Sequence, residues 1–306
     1  MLGHIVELAT EGGRLGVDRG FLTITSEAGQ GRIPIDDVEA VIASARGLTY
    51  SNSALAALAE RGAPLVICGQ DYTPAAVLMP MNGHFEQGVR IAAQSSAAKP
   101  VNKRLWAQLV RAKITAQAEA LDRVGAPAAR LRRLAESVKS GDPDNCEAQA
   151  AQAYWTAFMG KDFRRDRTAG GVNAFLNYGY AVLRAATARA IAGAGLHPSL
   201  SIHHRSRGEA LRLADDLMEP FRPAVDLIAR QLRDEGATEV DPAAKARLAA
   251  ALHVEYAAAN GRTALSYCLS RLCGSLVRVY LKQDEKLEFP RPLIPFAEDA
   301  IRDEAA

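Results

Sequence analysis

The sequence predicts an α+β fold, with a small β-rich domain over residues 1–85, a linker over 86–100 and a larger all-α domain over 101–306. Two observations carry this reading. Up to residue 80 the chain is cut into short β-branched runs bounded by Gly, Asp or Pro. Beyond residue 100 turn signals thin out, Ala and Leu dominate, and apolar positions recur at helical spacing. A length of 306 residues accommodates both parts at the usual ~100–200 residues per domain.

The expected strands are HIVEL (4–8), FLTITS (21–26), GRIPI (31–35), VEAVIAS (38–44), PLVICG (64–69) and AAVLMP (75–80). One helix interrupts them at 51–62, with Ser51 or Ser53 as its cap and Gly62 as its terminator. The Asn-Gly pair in MNGH (81–84) reads as a hairpin turn. Trp106, Leu109, Val110, Ile114 and Leu121 then mark a helix, followed by CEAQAAQAYWTAFM (146–159) and a helix from Val172 that stops at Gly193 or Gly195. Two more follow over 209–234 and 263–283, and the tail after Pro295 is expected to be loosely ordered.

An apolar fraction of 48% with 24% charged residues is ordinary for a globular protein. No apolar run approaches the ~18 residues of a membrane span. MLGHIVELATEGG at the N-terminus lacks the cationic and apolar stretches of a signal peptide, so a cytoplasmic protein is expected. Cys68, Cys146, Cys268 and Cys273 show no C-x-x-C pair and read as reduced thiols. The net charge of +2 conceals an asymmetry: residues 1–92 carry 6 Lys and Arg against 10 Asp and Glu, and the rest of the chain carries 31 against 25. Lys99, Lys103, Arg104, Arg111, Lys113, Arg123, Arg130, Arg132 and Arg133 face only Glu119 and Asp122 within 99–133. A polyanion is therefore expected on the second part of the chain, although such a run is also what a solvated helix face looks like.

Three polar positions fall on apolar faces. From Glu147 the positions Ala151, Tyr154, Trp155 and Phe158 follow at +4, +7, +8 and +11, which places its carboxylate among small and aromatic side chains. A capping-box role is an equal alternative there, since Glu147 lies three after Asp144 in a segment opened by Asp142-Pro143. Glu219 lies beside the face made by Leu213, Leu217 and Phe221, with Asp216 one turn before it and Pro220 and Pro223 bending the helix. A solvated acidic patch or an ion pair with Arg212 or Arg222 would also explain it. His203 and His204 close a short extended run, in which only one of the two can face a given site. One imidazole and two carboxylates from three elements suit Mg²⁺ or Mn²⁺ ahead of Zn²⁺. The leading class is metal-dependent phosphoryl transfer on nucleic acid. A non-catalytic helical DNA-binding assembly protein and a phosphohydrolase of small nucleotides stand as alternatives. There is no phosphate-binding loop, no Gly-x-Ser-x-Gly elbow and no His-Glu-x-x-His helix.

Five runs in this order resemble one known family: LWAQLVRAKITAQAEAL (105–121), EAQAAQAYW (from Glu147), NAFLNYGYAVL (from Asn173), GLHPSLSIHH (195–204) and LADDLMEPFRP (213–223). It is the CRISPR-associated adaptation endonuclease–integrase, the first of the Cas proteins, in the form found in type II systems. The resemblance implies a β-sandwich N-terminal domain, a helical catalytic domain and a homodimer. It further implies double-stranded and branched DNA as substrate, a small ferredoxin-like Cas partner, and strand transfer by 3′-hydroxyl attack on a phosphodiester. The family's metal ligands fall on Glu147, His204 and Glu219, with Asp216 and Asn173 auxiliary, and Asn177 and Tyr178 in the same supporting run. Ser201 stands where the family usually has glycine. Phosphate contacts are expected from Lys103, Arg104, Arg111, Lys113, Arg164, Arg165 and Arg167.

Overall fold

The computed structural model describes residues 4–27, 29–69, 74–81, 83–204, 210–258 and 261–296. In one sheet β1 (His4–Leu8), β5 (Val38–Ala43), β7 (Leu65–Cys68) and β8 (Pro74–Leu78) lie in that order, the first three parallel and the last antiparallel. The other sheet runs β4 (Gly29–Pro34), β3 (Phe21–Ser26), β2 (Arg14–Asp18) and β6 (Thr49–Tyr50). Leu8, Leu15, Leu22, Val41 and Leu65 from both sheets share a core with Leu58 of α1 (Asn52–Glu60). Ser51 caps α1, its Oγ accepting the Ala54 N–H at 3.1 Å. Every residue of β5 is buried, because Val41 and Ala43 face this core and Ala40 and Ile42 face the helices. That two-sided burial is why VEAVIA reads as apolar at every position but Glu39.

β2 and β6 escape the sequence pattern: RLGVD mixes Arg, Gly and Asp, and Thr49–Tyr50 is two residues long. The expected MNGH hairpin does not form, since β8 is followed by a helix; Asn82 itself lies outside the described residues. Gly83 has no room for a side chain. A Cβ there would sit 2.1 Å from the Ala192 carbonyl oxygen, so the chain passes directly against a neighbouring helix end.

The helices are α2 (Gln87–Ser95), α3 (Lys99–Arg123), α4 (Ala129–Ser137), α5 (Cys146–Met159), α6 (Val172–Gly193), α7 (Arg212–Met218), α8 (Arg222–Asp234), α9 (Pro242–Ala249) and α10 (Leu265–Tyr280). The segment 86–100, expected as a linker, carries α2 and the start of α3. Gln94 of α2 is buried and donates to the carbonyls of His197 and Leu200 at 3.0 and 2.8 Å. The C-terminal part is not all-α, because β9 (Glu255–Ala258) and β10 (Gly261–Ala264) pair as an antiparallel hairpin. Two four-residue strands built around Ala and Gly carry too short an alternation to be seen in sequence. Glu119 on α3 accepts the backbone N–H groups of Leu293 and Ile294, which holds the chain up to Phe296 along the helix. Most of the tail expected to be loose lies outside the described residues.

Among the described residues no helix is long and apolar enough to cross a membrane. Among the described residues no disulfide links the four cysteines.

The helical part meets the first sheet through α6. Ala185 packs on Ala40 and Val66, and Glu7 of β1 accepts from Tyr178 of α6 at 3.0 Å and Lys245 of α9 at 2.8 Å. A cleft of about 980 Å³ opens between these parts, with Glu7, Ser44 and Lys245 at its sheet side and Lys113, His204 and Glu219 among its other walls.

Candidate active site

The proline-bent stretch divides as α7, a 3-10 turn over Glu219–Phe221, and α8. This turn packs against the middle of α3, which is how Glu219 comes to face Lys113. Lys113 Nζ lies 2.6 Å from Glu219 Oε2 and 2.7 Å from Glu147 Oε1 on α5. The contact to Glu219 Oε2 is an ion pair without hydrogen-bond geometry, so that buried oxygen has no directed donor among the described residues. Its companion Oε1 accepts from Arg222 Nε at 2.9 Å. Burial alone would raise the Glu219 carboxyl, yet Arg222 and Lys113 outweigh it and hold it down to about 2. Lys113 mirrors this: burial works against the ammonium, and Glu219 and Glu147 more than restore it, so its pKa is raised.

Glu147 does not cap its helix. Asp142 does, its two carboxylate oxygens accepting the N–H groups of Cys146 and Glu147 at 2.9 and 3.0 Å. The Glu147 side chain is thereby free to reach Lys113.

The rings of His203 and His204 stand with their planes 82° apart. His203 is exposed and stacks on Trp106 at 4.2 Å. His204 lines the cleft, and its Nδ1 lies 2.6 Å from Asp216 Oδ1. Asp216 is fully buried and also accepts the backbone N–H groups of Ile202, His203 and His204 at 2.7, 3.0 and 3.2 Å. Ser201, in the position where a glycine was expected, donates to the His204 carbonyl at 2.5 Å and closes the turn with its side chain. The hydrogen bond that Asp216 accepts from His204, working against burial, raises the His204 pKa. With Nδ1–H committed to that carboxylate, the neutral ring keeps its lone pair on Nε2, the arrangement found behind metal-ligating histidines.

Basic residues of the expected phosphate-binding set fall into different environments. Lys103 and Arg104 are exposed on α3. Arg111 donates to the carbonyls of Ala135 and Val138, tying down the end of α4. Lys113 is committed to the carboxylates. Arg164 folds back on the Lys161 and Phe163 carbonyls. Arg165 lines the cleft and is gripped by Asn173 Oδ1 at 3.0 Å and Asn177 Oδ1 at 2.6 Å. These asparagines also bind the backbone of Arg164, Asp166 and Arg167, so their role is to fix the 164–167 loop on α6. Arg167 is exposed and lines the same cleft.

Sequence reasoning missed Asp226, which lines the cleft and is fully buried beneath two phenols. Tyr154 and Tyr180 donate to it at 2.9 and 2.5 Å, and Arg222 lies over the Tyr180 ring at 4.4 Å. It also assigned Lys113 to phosphate, although a signal was present. Lys113 falls at +4 from Leu109 and +3 from Val110, on the apolar face of its helix.

A model of the family described as CRISPR associated protein Cas1 matches residues 6–256. A relative from Neisseria meningitidis serogroup C (strain 8013), described as CRISPR-associated endonuclease Cas1, is 38% identical over 252 residues, which cover 81% of this chain and 83% of that protein. The chain belongs to the Cas1 family. Among solved structures, a casposase bound to integration product superposes with a TM-score of 0.81 at 21% identity, over 99% of this chain and 98% of that one. One chain of a Cas6-RT-Cas1–Cas2 complex superposes with a TM-score of 0.74 at 18% identity, covering 94% of this chain and 36% of its own length. At such identities these two likenesses speak for the Cas1 fold alone.

Proposed function

We propose that the protein is a metal-dependent DNA endonuclease and integrase of CRISPR adaptation. It joins the 3′-hydroxyl of a short DNA duplex to a phosphodiester at the repeat boundary and nicks branched DNA. The new O–P bond forms as the phosphodiester's own 3′-oxygen departs. The observation that carries the reading is that Lys113, on the wall of a cleft that His204 and Glu219 also line, draws together Glu219 and the Glu147 of a further helix in a Cas1-family chain.

A divalent cation, Mg²⁺ or Mn²⁺, fits the chemistry of this donor set. Two carboxylates converge on one positive charge, Glu219 Oε2 is buried without a directed donor, and the imidazole is tied through Nδ1. Among the described residues no three such side chains are already gathered to hold a metal as they stand; the point between the carboxylates is taken by the Lys113 ammonium. Glu147, His204 and Glu219 would hold the ion, which supplies charge stabilisation to a phosphoryl oxygen. Asp216 positions His204 and fixes its tautomer. Arg222 orients Glu219 and keeps it ionised. Arg165 and Arg167 present cations to a backbone phosphate, joined by the exposed Lys103, Arg104 and Arg164 outside the cleft; such contacts set affinity and register. Arg111 is held by backbone carbonyls and takes a lesser part.

We read residues 1–85 as a β-sandwich through which two copies pair. A small ferredoxin-like Cas protein is the expected partner, in line with the Cas2 of the similar solved complex.

EDTA is expected to abolish nicking and integration while leaving duplex binding in place, and duplex binding should weaken steeply with added salt. Activity that survives EDTA would refute the metal-dependent reading and favour another chemistry. No activity with any divalent ion, beside intact DNA binding, would favour a non-catalytic assembly protein. Within the site, His204→Ala should lower nicking at least about 100-fold. His203→Ala should lower it only a few-fold, because the His203 ring stacks on Trp106 and it is the His204 ring whose Nδ1 meets Asp216. The reverse ranking would mean that His203 is the ligand.

A further inference from the structure

Lys113 is a cation standing where the proposed metal would bind. It projects from the apolar face of α3 and is almost buried, with a side-chain exposure of 12%, against 7% for Glu219 and 26% for Glu147. Its ammonium is within ion-pair distance of one oxygen from each carboxylate. Arg222 holds the other oxygen of Glu219. Two anions and two cations thus make the cluster neutral as it stands, and a dication entering beside an undisturbed Lys113 would meet a nearby positive charge in a poorly hydrated place. A second acceptor for the lysine lies on its own helix. Gln117, one turn on, lines the same cleft, and its buried Oε1 has no hydrogen-bond partner among the described residues.

From this geometry we infer that Lys113 is an internal counter-cation that competes with the divalent metal for Glu147 and Glu219. It holds the two carboxylates together when the metal is away, and it sets how tightly the metal binds. The inference rests on the metal centre proposed above and goes beyond it by giving Lys113 a role opposed to metal loading. A lysine that merely contacts DNA or packs the helix would leave metal affinity unchanged when its charge is removed.

The test is a titration of the full-length, metal-free protein with Mn²⁺ alone, without DNA, read by electron paramagnetic resonance of the free ion and by calorimetry. Wild type, Lys113→Met, Lys113→Gln, Lys113→Arg and Glu219→Gln are compared. Lys113→Met and Lys113→Gln should each bind Mn²⁺ at least about tenfold more tightly than wild type. Lys113→Arg, which keeps the charge, should stay close to wild type. Without metal both neutral variants should melt below wild type, and Mn²⁺ should raise their melting temperatures by more than it raises that of wild type. Lys113→Gln keeps a polar partner for the carboxylates and serves if Lys113→Met does not fold. Mn²⁺ binding that Glu219→Gln weakens but neither neutral lysine variant tightens would overturn the role of Lys113 and leave the metal centre intact. Absence of any Mn²⁺ site sensitive to Glu219→Gln would overturn both.

Discussion

Asp216→Ala is expected to lower stability by about 3–5 kcal/mol and to abolish nicking, a larger effect than loss of any single basic residue in the cleft. The carboxylate is fully buried, and three backbone N–H groups and one imidazole nitrogen depend on it. Truncation strands those donors. Asp216→Asn keeps the volume but turns an N–H₂ toward donors, so it should recover little of the loss. Thermal melting measures the first effect. The second needs a separate readout, because an unfolding variant is inactive for trivial reasons. Histidine titration by NMR supplies it: with Asp216 neutralised, the His204 pKa should fall from its raised position toward the ordinary ~6.5. The sign of the linked stability follows. A histidine whose folded pKa is raised stabilises the fold fully below its unfolded pKa, and that contribution is lost as pH rises through the folded value. The gap in melting temperature between wild type and Asp216→Asn should therefore narrow above neutral pH. A gap that stays constant across that range would mean that Asp216 serves the backbone turn only.

The candidate ligands were visible in sequence as polar residues on apolar faces, and the bend at Pro220 and the ends of α5 and α6 fell where spacing and caps put them. What escaped was of two kinds. The hairpin of β9 and β10 and the two-residue β6 are too short for a period-2 signal, and β2 mixes Arg, Gly and Asp, so local pattern cannot see them. Asp216 and Lys113 failed for another reason. Their residue types and even their helix faces were readable, but the role of each is defined by a partner that only the tertiary packing supplies. Asp216 was an auxiliary acid until the 201–204 turn wrapped its carboxylate in N–H groups. Lys113 was one of nine basic residues until the 3-10 turn at Glu219 packed against α3. The same packing makes the burial of Glu219 tolerable. Two cations, Lys113 and Arg222, neutralise it without help from a metal.

Asp226 carries the second large effect. Burial pushes its carboxyl from the usual 3.8 up to about 7, against the phenols of Tyr180 and Tyr154 and the guanidiniums of Arg222 and Arg165, which pull it down. Between pH ~4 and pH ~7 the unfolded chain has released this proton while the folded protein keeps it, so the unfolded state binds fewer protons and stability falls with rising pH. A rise of that size corresponds to about 4 kcal/mol at a group with no solvent to screen it. Asp226→Asn removes the titration while keeping the shape. Denaturant unfolding of both proteins at several pH values should show wild type losing up to about 4 kcal/mol relative to Asp226→Asn between pH ~4 and pH ~7, and a constant difference above that. A difference that does not vary with pH would mean that the carboxylate is ionised in the fold throughout and held by Arg222 and Arg165. The measurement bears on function because Tyr180, which donates to Asp226, also carries the Arg222 guanidinium on its ring. Arg222 in turn holds Glu219. A wild-type protein whose cleft wall gains a negative charge near neutral pH has a firmer hold on Arg222 there, which ties the orientation of Glu219 to the same pH range.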